Sequence, residues 1–149
     1  MTPVARPGTT VSGSGPLQEV RVQFDSPGSI DALWQALTNQ NQVAIWWDTG
    51  IIESIEGGAI HLGPDSAPEG LWPLRGQVKV CAAPHLFEFT WHENYPSGGL
   101  VRFDLLEVEA GTRITLTQNV PAQHAQGAAE GWQALLARLI KLVETGTLD

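Results

Sequence analysis

The hydrophobic positions near the end of the chain recur with helical spacing. Between residues 128 and 144 the apolar side chains are Ala128, Trp132, Leu135, Leu136, Leu139 and Val143. These positions share one face of a helix with about 3.6 residues per turn. A helix of this length reaches about 25 Å, and Gly146 just beyond it favours a C-terminal stop. The pattern predicts a long amphipathic helix that needs an apolar surface to cover.

Two shorter helices are predicted nearer the N-terminus. Ser26 is a favoured N-cap and Pro27 a favoured first helical residue. Apolar residues follow at i, i+3, i+4 and i+7, namely Ile30, Leu33, Trp34 and Leu37. Thr38 and Asn39 are expected to end this helix and to cap a second one that runs to Trp46.

Most of the remaining chain alternates between apolar and polar residues and predicts strands. They are expected at residues 19–24, 51–55, 59–62, 74–82, 86–92, 100–109 and 112–118. Turn residues separate them at Gly57-Gly58, Pro84 and Ala110-Gly111, and loops at 63–70 and 96–99. The order of strand, two helices, six strands and a long helix predicts an α+β fold with an antiparallel meander.

The register of the meander follows from its hydrophobic pattern. The pairs predicted across the loop at 93–99 are Trp91 with Val101, Phe89 with Phe103, and Phe87 with Leu105. The same register across Ala110-Gly111 pairs Leu105 with Leu116, Phe103 with Gln118, and Glu107 with Ile114. One face is then apolar, and the other carries Glu88, Thr90, Arg102, Asp104, Arg113, Thr115 and Thr117, as expected for a solvated side.

Composition narrows the class of protein. Of the 149 residues, 42% are hydrophobic and 16% charged, and no apolar run approaches the roughly 20 residues of a membrane span. We therefore expect a soluble globular domain at residues 18–146, with residues 1–17 as a flexible tail rich in Pro, Gly, Ser and Thr. The net charge of −8, with eight scattered Lys and Arg, argues against nucleic acid as a partner and against stable membrane insertion.

Cys81 is the only cysteine, which excludes an internal disulfide and fits the reducing cytoplasm. It ends an apolar strand, so an inert small hydrophobe is favoured over a thiolate paired with His85. Glu88 and His92 would lie about 13 Å apart on a strand, so these two and His85 cannot chelate together. We predict no metal ion and no cofactor.

Catalytic signatures are also weak. The chain has no Gly-x-Ser-x-Gly elbow, and its glycine pairs precede no helix that could cradle phosphate. Glu107 and Glu109 share a strand face near a turn, where a solvated strand end explains them better than an acid and base pair. No catalytic residue is predicted.

The element order and the aromatic and leucine positions resemble a known superfamily. The residues that carry the resemblance are Leu33-Trp34, Leu37-Thr38, Trp46-Trp47, Gly131-Trp132, Leu135-Leu136 and Leu139. The chain looks like the SRPBCC superfamily, the START-related helix-grip fold. It is most similar to the bacterial branch named after the C-terminal domain of the activator of heat-shock-protein ATPase. The resemblance implies a seven-stranded antiparallel sheet around the closing helix, with two small helices and a hydrophobic cavity.

The aromatic residues of the predicted apolar face suggest what lines that cavity. For any single one, ordinary core and pocket lining are equally good interpretations, but as a set they favour a pocket. Gln118 is the best polar candidate on this face. The predicted lining residues are Trp46, Trp47, Phe89, Trp91, Val101, Phe103, Ile114, Leu116, Gln118, Trp132 and Leu136.

Three functions are therefore considered. The first is non-catalytic binding of a small hydrophobic or amphipathic molecule in the cavity. The second is an enzyme like the polyketide cyclases and aromatases of the superfamily, acting on an apolar substrate in the same cavity. The third is a chaperone-associated or regulatory protein-binding domain, and a homodimer is left open.

Overall fold

The computed structural model describes residues 8–13, 15–63, 74–91 and 99–146. The strands are β1 (Gly8–Ser12), β2 (Leu17–Ser26), β3 (Gly50–Ile52), β4 (Ala59–Leu62), β5 (Leu74–Ala82), β6 (Leu86–Thr90), β7 (Leu100–Val108) and β8 (Gly111–Pro121). The helices are α1 (Ile30–Thr38), α2 (Gln40–Trp46) and α3 (Ala122–Thr145). His92 and most of the loops predicted at 63–70 and 96–99 lie outside the described residues.

The strands form one antiparallel sheet in the order β1-β2-β8-β7-β6-β5-β4-β3. The predicted α+β helix-grip fold is confirmed, but the predicted count of seven strands is wrong because the described residues form eight. The additional strand is β1, which pairs with β2 from Gly8 opposite Gln23 to Ser12 opposite Glu19. It lies within the segment predicted as a tail, where Gly, Ser and Thr obscure the alternation by which a strand is recognised.

The first two helices meet at a shared capping residue. Ser29, and not the predicted Ser26, caps α1 by accepting a hydrogen bond from the Ala32 amide at 3.1 Å. Ser26 instead ends β2, and its hydroxyl oxygen accepts from the Gly28 amide at 3.0 Å. Asn39 ends α1 and caps α2, with its side chain accepting from Asn41 and Gln42, as the sequence predicts.

The closing helix is longer than predicted. It begins at Ala122 and not near residue 128, and it covers 24 residues. Gly146 ends it with a left-handed backbone (φ 79°), and its amide donates to the Leu142 carbonyl at 2.7 Å. The predicted stop at Gly146 is therefore confirmed, whereas Gly127, which interrupts the apolar pattern, proves to be a helical residue.

The register of the meander differs from the predicted one by two residues. Phe89 lies opposite Val101, and Phe87 opposite Phe103. The next hairpin turns at Glu109-Ala110, so the pairs there are Val101 with Gln118, Phe103 with Leu116, Leu105 with Ile114, and Glu107 with Thr112. Residues two positions apart on a strand point to the same face. The error in the predicted register therefore assigned the wrong cross-strand partners but kept each residue on its correct face of the sheet.

The apolar face of the sheet and the three helices enclose the core. Val20, Phe103 and Leu116 of the sheet and Leu33 and Leu136 of the helices are fully buried. The outer face is polar, and its ion pairs include Arg102 with Asp104 at 2.9 Å and Arg113 with Asp25 at 2.8 Å.

Candidate functional site

The aromatic residues predicted for the cavity form one connected cluster. Its centre is Trp47, the residue that follows α2. The rings in contact with Trp47, with their centroid separations, are Trp132 at 5.1 Å, Trp46 at 5.5 Å, Trp91 at 6.1 Å and Phe89 at 6.3 Å. Phe103 joins through Trp132 at 5.9 Å. We call these six residues the aromatic cluster.

Polar contacts place Trp47 within the aromatic cluster. The buried indole of Trp46 donates to the Ala36 carbonyl at 2.7 Å and so ties α2 to α1. The Arg138 guanidinium of α3 donates to the carbonyls of Trp46 at 3.0 Å and Ile45 at 3.1 Å. Because carbonyls at a helix C-terminus lack helical partners and attract cations, Arg138 holds the end of α2 against α3.

A buried hydrogen bond joins the aromatic cluster to the sheet. The Trp132 indole donates to the Gln118 side-chain oxygen at 2.8 Å. Gln118 stands in a row of the sheet with Phe89, Val101 and Val20, all apolar, and only 4% of it is exposed. A buried amide in apolar surroundings requires partners, and Trp132 supplies one of them.

A groove of about 460 Å³ opens where the aromatic cluster reaches the surface. Trp91, Gln118 and Val120 line it from the sheet side, and Gln123, His124, Gly127, Ala128, Gly131, Trp132 and Leu135 line it from α3. The helical residues recur along the chain so that they share one face of the helix, and they form one stripe along the first four turns of α3. Gln123, His124, Gly127 and Gly131 are exposed, which makes this stripe the open side of the groove.

Small residues of α3 account for the open space. A side-chain carbon built on Gly127 or Gly131 would meet no heavy atom within 4 Å. Glycine inside a helix costs about 1 kcal/mol relative to alanine, so two glycines on one stripe carry a stability cost. Larger residues at 127, 128 and 131 would fill the groove from the helix side.

The predicted lining residues divide into two groups. Trp91, Gln118 and Trp132 line the groove. The other eight, Trp46, Trp47, Phe89, Val101, Phe103, Ile114, Leu116 and Leu136, pack in or against the hydrophobic core. An enclosed cavity bordered by these eight stays a prediction.

This fold and groove can be compared with known proteins. The family model described as Activator of Hsp90 ATPase homolog 1-like protein matches residues 27–144. The chain belongs to this family. The resemblance to the SRPBCC superfamily and its bacterial activator-like branch is thereby confirmed. A search of curated proteins found no match.

Solved structures support the same fold. The solution structure of CalU16 from Micromonospora echinospora has a TM-score of 0.76 at 20% identity, covering 96% of this chain and 77% of that one. The Aha1 dimer from Colwellia psychrerythraea has a TM-score of 0.73 at 19% identity, covering 86% and 97%. DynU16, a putative protein of the dynemicin biosynthetic locus, has a TM-score of 0.76 at 20% identity, covering 87% and 48%. At these identities the likeness shows the fold.

Sequence reasoning missed the N-terminal part of the groove. Val120, Gln123, His124 and Gly127 lie before the predicted start of the last helix. Gly127 argues against a helix by propensity alone, but the small residues on either side of it, Ala125 and Ala129, are buried in the core. The spacing of these two alanines continues the apolar stripe of α3 toward Ala122, which was the available signal.

The remaining candidate groups for chemistry are not gathered into a site. In the described part of the chain, no three His, Cys, Asp or Glu residues are placed to hold a metal ion. The Cys81 thiol lies 3.2 Å from the Ser54 carbonyl, and burial, with the Glu56 carboxylate, raises the pKa of Cys81. A raised pKa lowers the thiolate fraction and with it the reactivity. Glu107 pairs with Thr112 beside the β7–β8 turn and does not line the groove.

The described residues also line hollows elsewhere on the surface. One, of about 700 Å³, covers the outer side of β4 and β5 around His61, Gln77 and Lys79. Another, of about 500 Å³, lies between α1, α2 and the end of α3 near Ile45 and Val143. Neither contains a residue of the aromatic cluster. Among the described helices, none combines the length and apolar character needed to cross a bilayer.

Proposed function

We propose that this protein binds a small apolar or amphipathic molecule in the groove between α3 and β8. The observation that carries the proposal is the lining of the groove: on the sheet side, the Trp91 indole and the buried Gln118 amide face a helix that contributes the Trp132 indole and two glycines. Small-molecule sites typically have volumes of about 300–1,000 Å³ and are apolar with a few placed polar groups. The groove, at about 460 Å³, falls within that range.

The charge of the groove favours the same class of ligand. Among the described residues that line the groove, none is Lys, Arg, Asp or Glu, although the whole chain carries a net charge of −8. Transfer of apolar surface from water contributes about 25 cal/mol per Å². An apolar ligand covering Trp91, Trp132 and Leu135 would gain this term without displacing a charge.

The test fills the groove from the helix. We expect Gly131→Leu to fold, because the space beside Gly131 is open, and to abolish binding. Binding is measured by quenching of tryptophan emission during titration with a panel of fatty acids, sterols, flavonoids and aromatic polyketides. Native mass spectrometry of the purified protein detects any ligand that it already carries.

The matched control is Ala137→Leu, which adds the same leucine to α3 at an exposed residue outside the groove. This control should bind like the wild type. Equal binding by wild type and Gly131→Leu would contradict the placement of the site. No quenching by any compound, with no carried ligand, would contradict the proposed function itself.

A second candidate function is catalysis on an apolar substrate in the same groove. It is supported by His124, which lines the groove together with Gln118 and is a side chain of the type that transfers protons near neutral pH. The structural relative DynU16 is described as a putative protein of a biosynthetic locus. An enzyme should convert a bound poly-β-ketone to a product in which a new ring C–C bond has formed and one water has been eliminated, a loss of mass that mass spectrometry detects. His124→Gln should then stop turnover while leaving binding intact, and turnover by this variant would exclude His124.

Self-association is a separate proposal. It is supported by the Colwellia psychrerythraea relative, which is described as a dimer. Light scattering coupled to size exclusion should then give twice the chain mass of 16.1 kDa, and a monomer mass at high concentration would contradict it.

A cytoplasmic location is likewise proposed, supported by the single cysteine.

A further inference from the structure

The orientation of the Gln118 amide follows from the chemistry of its partner. The Trp132 indole nitrogen can only donate a hydrogen bond. The atom of Gln118 that lies 2.8 Å from it is therefore the side-chain oxygen. Because the oxygen and nitrogen occupy opposite branches of a planar amide, the NH₂ group is directed away from Trp132.

That NH₂ group has no acceptor among the described residues. Only 4% of Gln118 is exposed, and the residue lines the groove. No fully buried side-chain nitrogen or oxygen of the described residues lacks a partner, so the unbonded Nε2 must retain contact with the open groove. Water in the groove can accept from this donor, but a ligand that displaces the water must supply an acceptor oxygen or leave the buried donor unsatisfied.

The other residues of the groove indicate which acceptor fits. A carboxylate would have to leave water, and the described part of the groove lining offers no Lys or Arg to compensate its charge. A neutral carbonyl oxygen forms a weaker hydrogen bond than a carboxylate does, but it costs much less to desolvate. The neighbouring Trp91, Trp132 and Leu135 side chains offer apolar surface on either side of such a group.

We propose that the groove selects apolar molecules bearing a neutral acceptor oxygen, such as a ketone or quinone carbonyl, and that the Gln118 NH₂ group recognises this oxygen. The inference rests on the proposed function and adds the ligand class and the residue that sets it. Trp132 acts here as a positioning residue, because its indole fixes the direction of the amide.

The experiment compares two flat molecules that differ in one group. Fluorenone carries a ketone, and fluorene has the same ring framework without an acceptor oxygen. We expect wild-type protein to bind fluorenone about fivefold to tenfold more tightly in calorimetric titrations, the range expected for one net hydrogen bond. Fluorene-9-carboxylate should bind more weakly than fluorenone, because its charge must leave water.

Substitution of the amide should remove the preference. Gln118→Met keeps an unbranched side chain of similar length without a donor, and it should bind fluorenone and fluorene equally. Gln133→Leu removes a glutamine from the exposed side of α3, outside the groove, and should keep the preference. A direct measurement needs no variant: the Gln118 side-chain NH₂ signals in a ¹⁵N–¹H spectrum should shift with fluorenone and much less with fluorene.

The outcomes separate the two proposals. Equal binding of fluorenone and fluorene by wild type, with both lost in Gly131→Leu, would overturn the role of Gln118 while leaving the binding site intact. Tighter binding of the carboxylate would overturn the preference for a neutral oxygen. Absence of binding by every probe would overturn the inference and also count against the proposed function.

Discussion

At the residue scale, indole N–H groups distinguish tryptophans that otherwise have similar apolar area. Trp46 and Trp132 each place the indole nitrogen on a buried acceptor, the Ala36 carbonyl and the Gln118 side chain. Trp34 is also buried and stands edge-on to Phe87 at 6.0 Å, but its indole has no hydrogen bond among the described residues. The first two therefore connect elements as well as fill space.

We expect Trp46→Phe to lower the free energy of unfolding more than Trp34→Phe does. Both substitutions shrink a buried ring, but only the first also leaves the Ala36 carbonyl without this donor. A buried acceptor without its partner costs about 1–3 kcal/mol, which is the expected difference between the variants in urea unfolding. Equal losses would show that the indole bond contributes nothing beyond packing.

The outer face offers a pH-dependent contact at the same scale. The hydrogen bond from Arg113 lowers the pKa of Asp25 below its ordinary value of 3.8, desolvation opposes this shift, and the charge of Arg113 adds to it. The folded state thus favours the Asp25 carboxylate, so the ion pair stabilises the protein at pH values above the ordinary pKa of an aspartate. This contribution is lost as pH falls through the lowered pKa.

Asp25→Asn should therefore reduce the Tm at about pH 6 and have little effect at about pH 2. The effect should be small and should shrink in high salt, because both side chains are about half exposed. Thermal unfolding followed by circular dichroism at the two pH values measures it. A Tm difference independent of pH would contradict the assignment of the shift to this pair.

At the element scale, α3 contains two glycines with opposite effects. Gly127 lies inside the helix, and Gly146 ends it with a positive φ of 79°. Neither has a heavy atom within 4 Å of the position that a side chain would take. An added side chain therefore has room at both sites. The backbone conformation alone should decide whether an alanine there stabilises or destabilises the protein.

Gly127→Ala should raise the free energy of unfolding by about 1 kcal/mol, through helix propensity. Gly146→Ala should lower it by about 1–2 kcal/mol, because a side chain is strained in the left-handed region. Chemical unfolding of both variants tests the pair. Stabilisation by both substitutions would show that the C-terminal turn of α3 adopts another conformation in solution.

At the scale of the whole molecule, β1 extends the sheet beyond the seven strands implied by the superfamily resemblance. It covers the outer edge of β2 along five residues, and the Thr9 hydroxyl meets the Gln133 side chain of α3 at 3.1 Å. An uncovered strand edge can pair with another molecule. This strand therefore protects the ten-residue strand β2 from such pairing.

Removal of residues 1–13 should leave the remaining seven strands and the helices folded but expose the edge of β2. We expect a lower Tm and a greater tendency to self-associate, measured by circular dichroism and size exclusion. Removal of residues 1–7 alone keeps β1 and serves as the control. Identical behaviour of the two truncated proteins would contradict a protective role for β1.

Several features that depend on interactions between residues close together in the sequence were predicted correctly. Several that depend on contacts between distant segments were not. Asn39 and Gly146 act within one helical turn, so their capping roles were predictable. The strand β1 was not, since its side chains are mostly exposed and its pairing with β2 defines it. Among the candidate residues, Gln118 was recognisable as a polar residue on an apolar strand face, but its bond to Trp132 depends on how α3 docks.

Apart from β1, the sequence by itself determined the element types, the inner and outer faces of the sheet and the aromatic character of the interior, because these follow from local periodicity. Tertiary structure decided the strand register, the start of α3 and the location of the groove. A shift of two residues preserves every strand face, so periodicity cannot detect it. Gly127 and Gly131 disfavour a helix locally, and only packing of α3 against the sheet keeps them helical and leaves open space beside Gln118.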